Sequence, residues 1–433
     1  MTAVAEVRLW GTRIGAVHLP PGSATAVFEY DPVFVGSGIE VAPLTMPLNR
    51  RIHTFPGLPH AAFHGLPGLL ADSLPDRFGN ALIDAWLASQ GRAPDSFSSV
   101  ERLCYTGSRG TGALEYVPAA GPEPAGRSEL IEVAELVRLA SAILSARQDL
   151  SVSFSDDRQE MALRHLLAVG TSAGGARAKA VIAWNPATGE VRSGQVAAGG
   201  FEYWLLKFDG VAANRDHELA DPAGYGAVEY AYHLMARSAG LDMEDCRLLE
   251  EHGRRHFMTR RFDRRPGGDK VHMQSLAALA HLDFNAPGAH SYEQAFLVMR
   301  RLGLPMAQLE EQFRRMVFNV LSRNQDDHVK NIAFLMDRSG GWRLSPAFDL
   351  TYAFNPRGQW TSQHQMTIHQ KRRAFVRDDL LAAAEAASMS RRRAAHLLEQ
   401  VARAVTAWPD FASAAGVADD WRAQIAANLI TDL

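Results

Sequence analysis

The chain has 433 residues, of which 47% are hydrophobic and 21% charged, with a formal net charge of −3. This length predicts roughly two or three packed units. The near-balanced charge gives no electrostatic footprint for autonomous nucleic-acid binding, although a local basic patch is compatible with it. Cys104 and Cys246 form no CxxC or Cys/His metal spacing, and no apolar run approaches the roughly 18–20 residues of a membrane span. We therefore expect a cytoplasmic protein with no membrane contact.

The first part of the chain predicts a small β unit followed by helices. Residues 5–30 alternate like strands, and 66–88 carry apolar residues at helical spacing. Pro75 lies inside that helical passage and predicts a break into two helices. A glycine run at 107–112 suggests a phosphate loop, but no helix follows, so a structural turn is favoured. The Pro/Gly-rich segment 119–128 is a predicted linker.

A loop of small residues follows the helices predicted at 129–147 and 159–168. It extends from Gly170 to Lys179 and leads into a strand at 180–184. Backbone amides in such a loop can approach phosphate oxygens without obstruction by Cβ atoms, and Lys179 adds a cation at the start of the strand. A tight turn before an edge strand is the alternative interpretation.

A lysine and a glutamate come next, in the order found in a kinase small lobe. Lys207 closes the apolar strand 202–208, where an ammonium group can pair with nucleotide phosphates. The helix predicted at 227–241 then carries Glu229 as a candidate partner. Lysines at strand ends are often solvated, and Glu229 could lie on an exposed helix face. A further strand at 257–264 precedes the expected hinge between two lobes.

The most informative stretch follows the helix predicted at 307–321. Asp326 stands five residues before Asn331, the spacing at which a kinase catalytic loop places its base and a magnesium ligand. A predicted hairpin at 332–344 would bring Asn331 close to Asp349, and both side chains offer the hard oxygen donors that Mg²⁺ prefers. Each residue alone could simply cap a loop. The complete set, in kinase order, favours phosphoryl transfer.

A metal hydrolase that uses Asp326, Asp327 and His328 is disfavoured, because no further histidine or carboxylate follows at a recognisable ligand spacing. Asp327 lacks the catalytic spacing to Asn331. We expect it to stabilise the loop instead.

Several motifs resemble the HipA serine/threonine kinases, which are the toxins of bacterial toxin–antitoxin modules. The motifs are SAGGARAKA at 172–180, LLKF at 205–208, RRFDR at 260–264, NQDDHVKNIAFL at 324–335 and LSPAFDLTYAFNP at 344–356. The resemblance extends over nearly the whole chain, including LADSLPDRFGN at 70–80.

The fold that this resemblance implies is α+β and kinase-like, with two lobes. We expect an N-terminal β-rich subdomain at 1–118 and a nucleotide-binding lobe with a glycine-rich loop at 129–273. A mostly helical catalytic lobe is expected at 274–433.

The resemblance also implies roles at the candidate site, with ATP and Mg²⁺ as the cofactors. Asp326 would be the catalytic aspartate and Lys207 would contact ATP, while Asn331 and Asp349 would bind Mg²⁺. The other ATP-binding positions would be Gly174, Gly175, Ala176, Arg177, Ala178 and Lys179 over the phosphates, His328, Lys330 and Phe348 in the pocket, and Gln274, Ser275 and Leu276 at the hinge. Family members often have acids at the hinge, where this chain has Gln274 and Ser275.

Ser172 matches the serine that is autophosphorylated in the family, which inactivates the kinase. A phosphate adds about −1.5 to −2 charges beside a site meant for ATP phosphates and would repel the nucleotide. The alternative is that Ser172 only caps a turn.

The implied partners are a protein substrate and a separate HipB-like antitoxin, with DNA reached only through that antitoxin. The best-known family target is glutamyl-tRNA synthetase, so the resemblance implies growth arrest through translation, although no residue here identifies the target. Basic clusters at 371–373 and 391–393 could assist a DNA-bound complex but are more simply solvated faces. A second hypothesis is a weakly active or inert nucleotide-binding co-repressor subunit.

Overall fold

The computed structural model describes residues 4–120, 132–145, 166–167, 170, 177–193, 199–211, 215–216, 219–220 and 224–433. The predictions for Ser172, Gly174, Gly175 and Ala176, most of the linker at 119–128 and most of the helix at 159–168 lie outside these residues. Across the ranges just given, no helix is long and apolar enough to cross a membrane.

The N-terminal unit is an antiparallel sheet with short helices on its edge. Its strands follow the order β4-β3-β2-β1-β5, and the alternation at 5–30 predicted the first three as strands. Its elements are β1 Val4–Leu9, β2 Thr12–His18, β3 Val27–Tyr30, α1 Pro32–Val35, β4 His53–Thr54, α2 His60–Phe63, α3 Gly68–Ala71, α4 Arg77–Ser89, α5 Ser99–Thr106 and β5 Leu114–Val117. The predicted helix break at Pro75 is confirmed, because α3 ends before it and α4 begins after it.

The upper lobe is built on a second antiparallel sheet, in the order β11-β12-β8-β6-β7. Its elements are α6 Val133–Ser145, β6 Lys179–Trp184, β7 Val191–Ser193, β8 Glu202–Lys207, β9 Arg215–Asp216, β10 Leu219–Ala220, α7 Tyr225–Ser238, β11 Cys246–Glu251 and β12 Arg254–Arg260. In this register Lys179 of β6 lies opposite Lys207 of β8. Lys179 starts β6 and Lys207 ends β8, so the two predicted cationic residues lie side by side on neighbouring strands.

The lower lobe is mostly helical around a small sheet. Its elements are β13 His272–Ser275, α8 Leu276–Ala280, α9 Tyr292–Arg301, α10 Met306–Leu321, β14 Ala333–Met336, β15 Trp342–Leu344, α11 Arg377–Ala386, α12 Arg391–Thr406, α13 Trp408–Ala414 and α14 Asp419–Ala426. The predicted hairpin is confirmed, since β14 pairs with β15 around the turn at 337–341. β13 pairs with the other edge of β14, a contact that the sequence did not predict.

Burial divides the described residues into cores that do not follow chain order. Helix α4 is close in sequence to the N-terminal sheet, yet Phe78, Leu82 and Leu87 lie in one core with Ile182 and Trp204 of the upper-lobe strands. Leu69 and Leu70 of the neighbouring α3 stay in the core of the N-terminal unit. The chain therefore passes from one unit to another between α3 and α4.

Gly226 allows α7 to lie unusually close to β12. A Cβ atom at Gly226 would stand 2.2 Å from the carbonyl oxygen of Arg255 and 3.1 Å from the backbone nitrogen of Phe257. No real Cβ tolerates the shorter distance, so the helix and the strand would have to separate. Because Glu229 lies one turn further along α7, this close approach also sets its height above the sheet.

We expect Gly226→Ala to lower the free energy of unfolding by about 1–3 kcal/mol, the usual cost of inserting a methyl group into a packed contact. Denaturant unfolding of the full chain measures this. Gly57→Ala is the control, because no atom lies within 4 Å of a Cβ built at Gly57 and its φ is not positive. Gly253→Ala is unsuitable, since Gly253 has a positive φ that alanine rarely adopts. Equal stability of Gly226→Ala and Gly57→Ala would contradict the close packing of α7.

Candidate active site

Lys207 joins the two lobes at the centre of the site. Its ammonium group lies 2.5 Å from Oε1 of Glu229 on α7 and 2.6 Å from Oδ1 of Asp349 in the lower lobe. The Glu229 side chain is only 3% exposed, so it is not on a solvated helix face. A lysine at a strand end, a glutamate on the following helix and an aspartate after the lower hairpin are thus in direct contact.

The charges of this cluster stabilise one another. Burial alone would lower the pKa of Lys207, but the carboxylates of Asp349 and Glu229 together raise it well above its usual value. Burial would likewise raise the pKa of Asp349, yet Lys207 keeps it far below its usual range. Burial raises the pKa of Glu229, and the two nearby cations oppose that rise. Lys207 and Asp349 are therefore charged at neutral pH.

The loop that carries Asp326 is fixed by its own asparagine. Nδ2 of Asn331 donates a 2.9 Å hydrogen bond to the backbone carbonyl oxygen of Asp326, which closes the loop between them. A short 3₁₀ turn at Val329–Asn331 then leads into β14. The predicted spacing of five residues thus corresponds to one closed loop, with Asp326 at its start and Asn331 at its end.

Trp360 contacts the side chain of Asp326. Its indole Nε1 donates to Oδ1 of Asp326 at 2.6 Å. Nε2 of Gln365 in turn donates to the carbonyl oxygen of Trp360 at 2.6 Å, so the segment after the site is held against the loop. One oxygen of the expected catalytic carboxylate is therefore oriented by an aromatic donor that the sequence analysis did not identify.

Asp327 points away from the site and is buried beneath the loop. Its carboxylate accepts hydrogen bonds from the Tyr292 hydroxyl at 2.8 Å, from the backbone nitrogen of Gln365 at 2.8 Å and from His364 Nδ1 at 2.9 Å. Burial would raise the pKa of Asp327, but His364 and the other donors keep it below its usual value. Asp327 stabilises the loop, as its spacing suggested.

Asp349 has a backbone conformation that few non-glycine residues adopt. Its φ is +57°, in the left-handed region that aspartate tolerates better than bulkier residues. Nδ2 of Asn324, just before the loop that carries Asp326, lies 3.4 Å from the Asp349 carbonyl oxygen and 3.0 Å from Oδ1 of Asn319. Asn324 therefore links the start of the loop that carries Asp326 to the backbone at Asp349.

The described end of the glycine-rich loop is packed into the upper lobe. Arg177 lies 3.7 Å from Oε2 of Glu229, and its guanidinium stacks 3.9 Å above the centre of the Tyr225 ring. Ala178 is fully buried in the upper-lobe core. Lys179 is 2% exposed and pairs with Asp76 of the N-terminal unit at 2.9 Å.

The remaining predicted pocket residues, His328, Lys330 and Phe348, belong to the lower lobe and contact aromatic rings. Nζ of Lys330 stands 4.4 Å over the centre of the Phe284 ring, and His328 faces the same ring at 6.2 Å. The ring of Phe348 contacts that of Phe262 with centres 5.6 Å apart. Phe262 belongs to the RRFDR motif at 260–264, but no role in the pocket was predicted for it.

The three residues expected at the hinge are buried in the lower lobe. The side-chain amide of Gln274 donates to the Val41 carbonyl oxygen. Oγ of Ser275 donates to Asp72 and caps α8, whose first residue is Leu276. The side chains of Gln274 and Ser275 contact the N-terminal unit and that of Leu276 lies in the lower-lobe core, so any part in nucleotide binding would fall to the backbone.

Family models match most of the chain. Residues 5–117 match the HipA N-terminal domain, and residues 171–408 match the HipA-like C-terminal domain. A protein of Sinorhizobium fredii, provisionally named the kinase Y4dM, is 29% identical over 180 residues. That match covers 37% of this chain and 42% of the relative, well under two thirds of its length.

Among solved structures, the chain is similar to one from Shewanella oneidensis MR-1, a complex of the toxin–antitoxin system proteins HipA and HipB with operator DNA. The match has a TM-score of 0.67 and 18% identity, and it covers 98% of this chain and 94% of the other. It shows the fold, so the expected α+β, two-lobed architecture with an N-terminal β-rich unit is confirmed. The proinflammatory kinase CtkA of Helicobacter pylori matches weakly, with a TM-score of 0.28 and 11% identity over 52% of this chain and 92% of that one.

Proposed function

The chain belongs to the HipA family, and from that premise we propose that it is an ATP- and magnesium-dependent protein serine/threonine kinase. The observation that supports this most strongly is the contact of Lys207 with both Glu229 and Asp349. A kinase requires a lysine held by a helix glutamate above the aspartate that binds Mg²⁺. Here the three groups meet at the boundary of the two lobes.

The donor set fits a magnesium nucleotide. Asp349 is charged, and its side chain is 31% exposed, so a ligand can reach it. Asn331 adds a neutral amide at the end of the adjoining loop. One carboxylate and one amide, with phosphate and water oxygens to complete the shell, match the coordination that Mg²⁺ prefers beside nucleotide phosphates. When bound, Mg²⁺ would neutralise charge on those phosphates.

In the proposed mechanism, the residues of the chain act mainly by position and charge. Lys207 is held by Glu229 so that its ammonium can turn from Asp349 towards phosphate oxygens. Asp326 accepts the proton of a substrate hydroxyl as that oxygen attacks the γ-phosphoryl group of ATP in line, and ADP is the leaving group. The contact from Trp360 orients the accepting carboxylate.

We also propose that the chain is the toxin of a toxin–antitoxin module with a separate HipB-like antitoxin. The basic clusters argue against direct DNA contact only in part, because acids pair with some of their members. Lys371 lies 2.8 Å from Asp379, and Arg393 lies 2.7 Å from Glu310. Growth arrest through phosphorylation of a translation protein such as glutamyl-tRNA synthetase, and regulation by autophosphorylation at Ser172, are parts of the same proposal.

Mg-ATP should raise the melting temperature of the purified chain. A ligand that binds only the native state stabilises it by about 2.7 kcal/mol at a hundred times its Kd. Differential scanning fluorimetry with millimolar Mg-ATP measures the shift, with Mg²⁺ alone as the control. No shift would contradict nucleotide binding and would therefore refute the kinase proposal.

A further inference from the structure

The segment from α3 to α4 crosses from the lower lobe to the upper lobe. Gly68, at the start of α3, touches α8 of the lower lobe so closely that a Cβ there would stand 2.2 Å from the Ala278 carbonyl oxygen. Nε2 of His281 accepts a 3.0 Å hydrogen bond from the Gly68 backbone nitrogen. At the other end of the segment, the apolar side chains of α4 lie in the core of the upper lobe.

Asp72 ends α3 and connects this segment to the lower lobe. Its carboxylate accepts hydrogen bonds from the backbone nitrogen of Ser275 at 2.6 Å and from the Ser275 hydroxyl at 2.8 Å. The same hydroxyl lies 3.1 Å from the backbone nitrogen of Ala278, so it also caps α8. The carboxylate is therefore joined to the junction between β13 and α8.

Asp76 begins α4 and connects the segment to the upper lobe. One carboxylate oxygen accepts from the Gly79 backbone nitrogen at 2.6 Å, which caps the helix, and the other lies 2.9 Å from Nζ of Lys179. Both side chains of this ion pair are nearly buried, at 2% and 6% exposure. A buried charge that loses its partner is strongly destabilising. The position of Lys179 therefore depends on Asp76.

We propose that residues 72–76 form an interlobe strap, in which Asp72 holds the lower lobe and Asp76 positions Lys179 of the upper lobe, so that the N-terminal unit sets the opening of the nucleotide cleft. The inference rests on the proposed kinase function for its effect on ATP. Pro75 lies between the two aspartates and restricts the backbone there, which makes the connection short and stiff. Lys179 lies opposite Lys207 across β6 and β8, so displacement at Asp76 is transmitted to the site.

A strap has a property that two independent local contacts lack. If either end is released, the strap no longer couples the two lobes, and releasing the second end changes little more. Two independent contacts would instead give additive losses in free energy. The comparison of single and double variants therefore distinguishes a strap from ordinary stabilisation.

The variants are Asp76→Asn, Asp72→Ala and their combination in the full chain. Asparagine can still cap α4 but removes the negative charge from Lys179, and alanine removes both acceptors for Ser275. Asp84→Asn is the matched control, because Asp84 is also on α4 and pairs with Arg102 at 3.2 Å within the N-terminal unit.

Titration calorimetry with Mg²⁺ and a non-hydrolysable ATP analogue measures the effect. Each single variant should weaken binding about tenfold, or about 1.4 kcal/mol, and the double variant should weaken it no more than about twofold beyond the worse single one. Asp84→Asn should bind like the wild type. Additive losses, or wild-type affinity in both single variants, would overturn the strap.

Hydrogen exchange without nucleotide tests the strap separately from the kinase proposal. Asp72→Ala should increase amide exchange in β6, across the cleft from the substituted contact, and Asp84→Asn should not. An increase confined to α8 and its neighbours would overturn the proposal. Because this test does not use Asp76→Asn, it remains decisive even if that variant fails to fold. Wild-type protein that binds no Mg-nucleotide would instead refute the kinase function, and the exchange result would still decide the strap.

Discussion

Asp326→Asn is expected to slow phosphoryl transfer by about 10²–10⁴-fold, the usual contribution of a positioned general base. Asparagine keeps the size of the side chain and can still accept from the Trp360 indole, whose Nε1 lies 2.6 Å from the Asp326 carboxylate. It cannot accept the proton of the attacking hydroxyl. The rate of phosphate transfer from labelled ATP to the chain itself, under single-turnover conditions, is the appropriate measurement.

The affinity for Mg-ATP separates this role from a structural one. Asp326 is the proposed base and is not among the proposed magnesium ligands, so Asp326→Asn should bind Mg-ATP like the wild type. Asp337→Asn is the control, since Asp337 is an exposed acid in the turn of the β14–β15 hairpin. A variant at Asp326 that transfers phosphate at the wild-type rate would remove the assigned role.

Asp349→Asn is expected to cost about 3–4 kcal/mol of transition-state stabilisation, or roughly a 10²–10³-fold loss of rate. The substitution removes the only carboxylate in the proposed magnesium pair and one of the two anions that contact Lys207. Asparagine still offers one oxygen, so excess Mg²⁺ should restore part of the rate.

The dependence on Mg²⁺ concentration is the measurement that distinguishes the two aspartates. Asp349→Asn should need more Mg²⁺ for half-maximal rate, whereas Asp326→Asn should need the wild-type concentration. Equal Mg²⁺ dependence of Asp349→Asn and the wild type would contradict the role of Asp349 as a ligand.

Local patterns predicted the elements that carry the site. The helix at 307–321, the hairpin after Asn331 and the strand that ends at Lys207 follow from the spacing of apolar residues and from turn residues, and the structure has each of them. The order of Lys207 and Glu229 along the chain suggested that these two residues pair, whereas the contact of Lys207 with Asp349 was not predicted. Contacts of 2.5 and 2.6 Å place Lys207 against both acids.

Contacts between distant segments could not be predicted in this way. Trp360 reaches Asp326 because Asp327 and Gln365 hold the following segment against the loop, and no periodic pattern marks such a contact. Asp76 caps α4 with one carboxylate oxygen, while its second oxygen pairs with Lys179 of the distant strand β6. The expected hinge residue Gln274 is another case, since its side chain bonds to Val41 of a different unit.

Intact-mass measurement after incubation with ATP and Mg²⁺ tests the central claim most directly. Wild-type protein should gain the mass of one phosphate, and peptide mapping should place it on Ser172. Asp326→Ala should keep its original mass under the same conditions while remaining folded. No phosphate on the wild type, or equal phosphate on the wild type and Asp326→Ala, would contradict a kinase whose catalytic residue is Asp326.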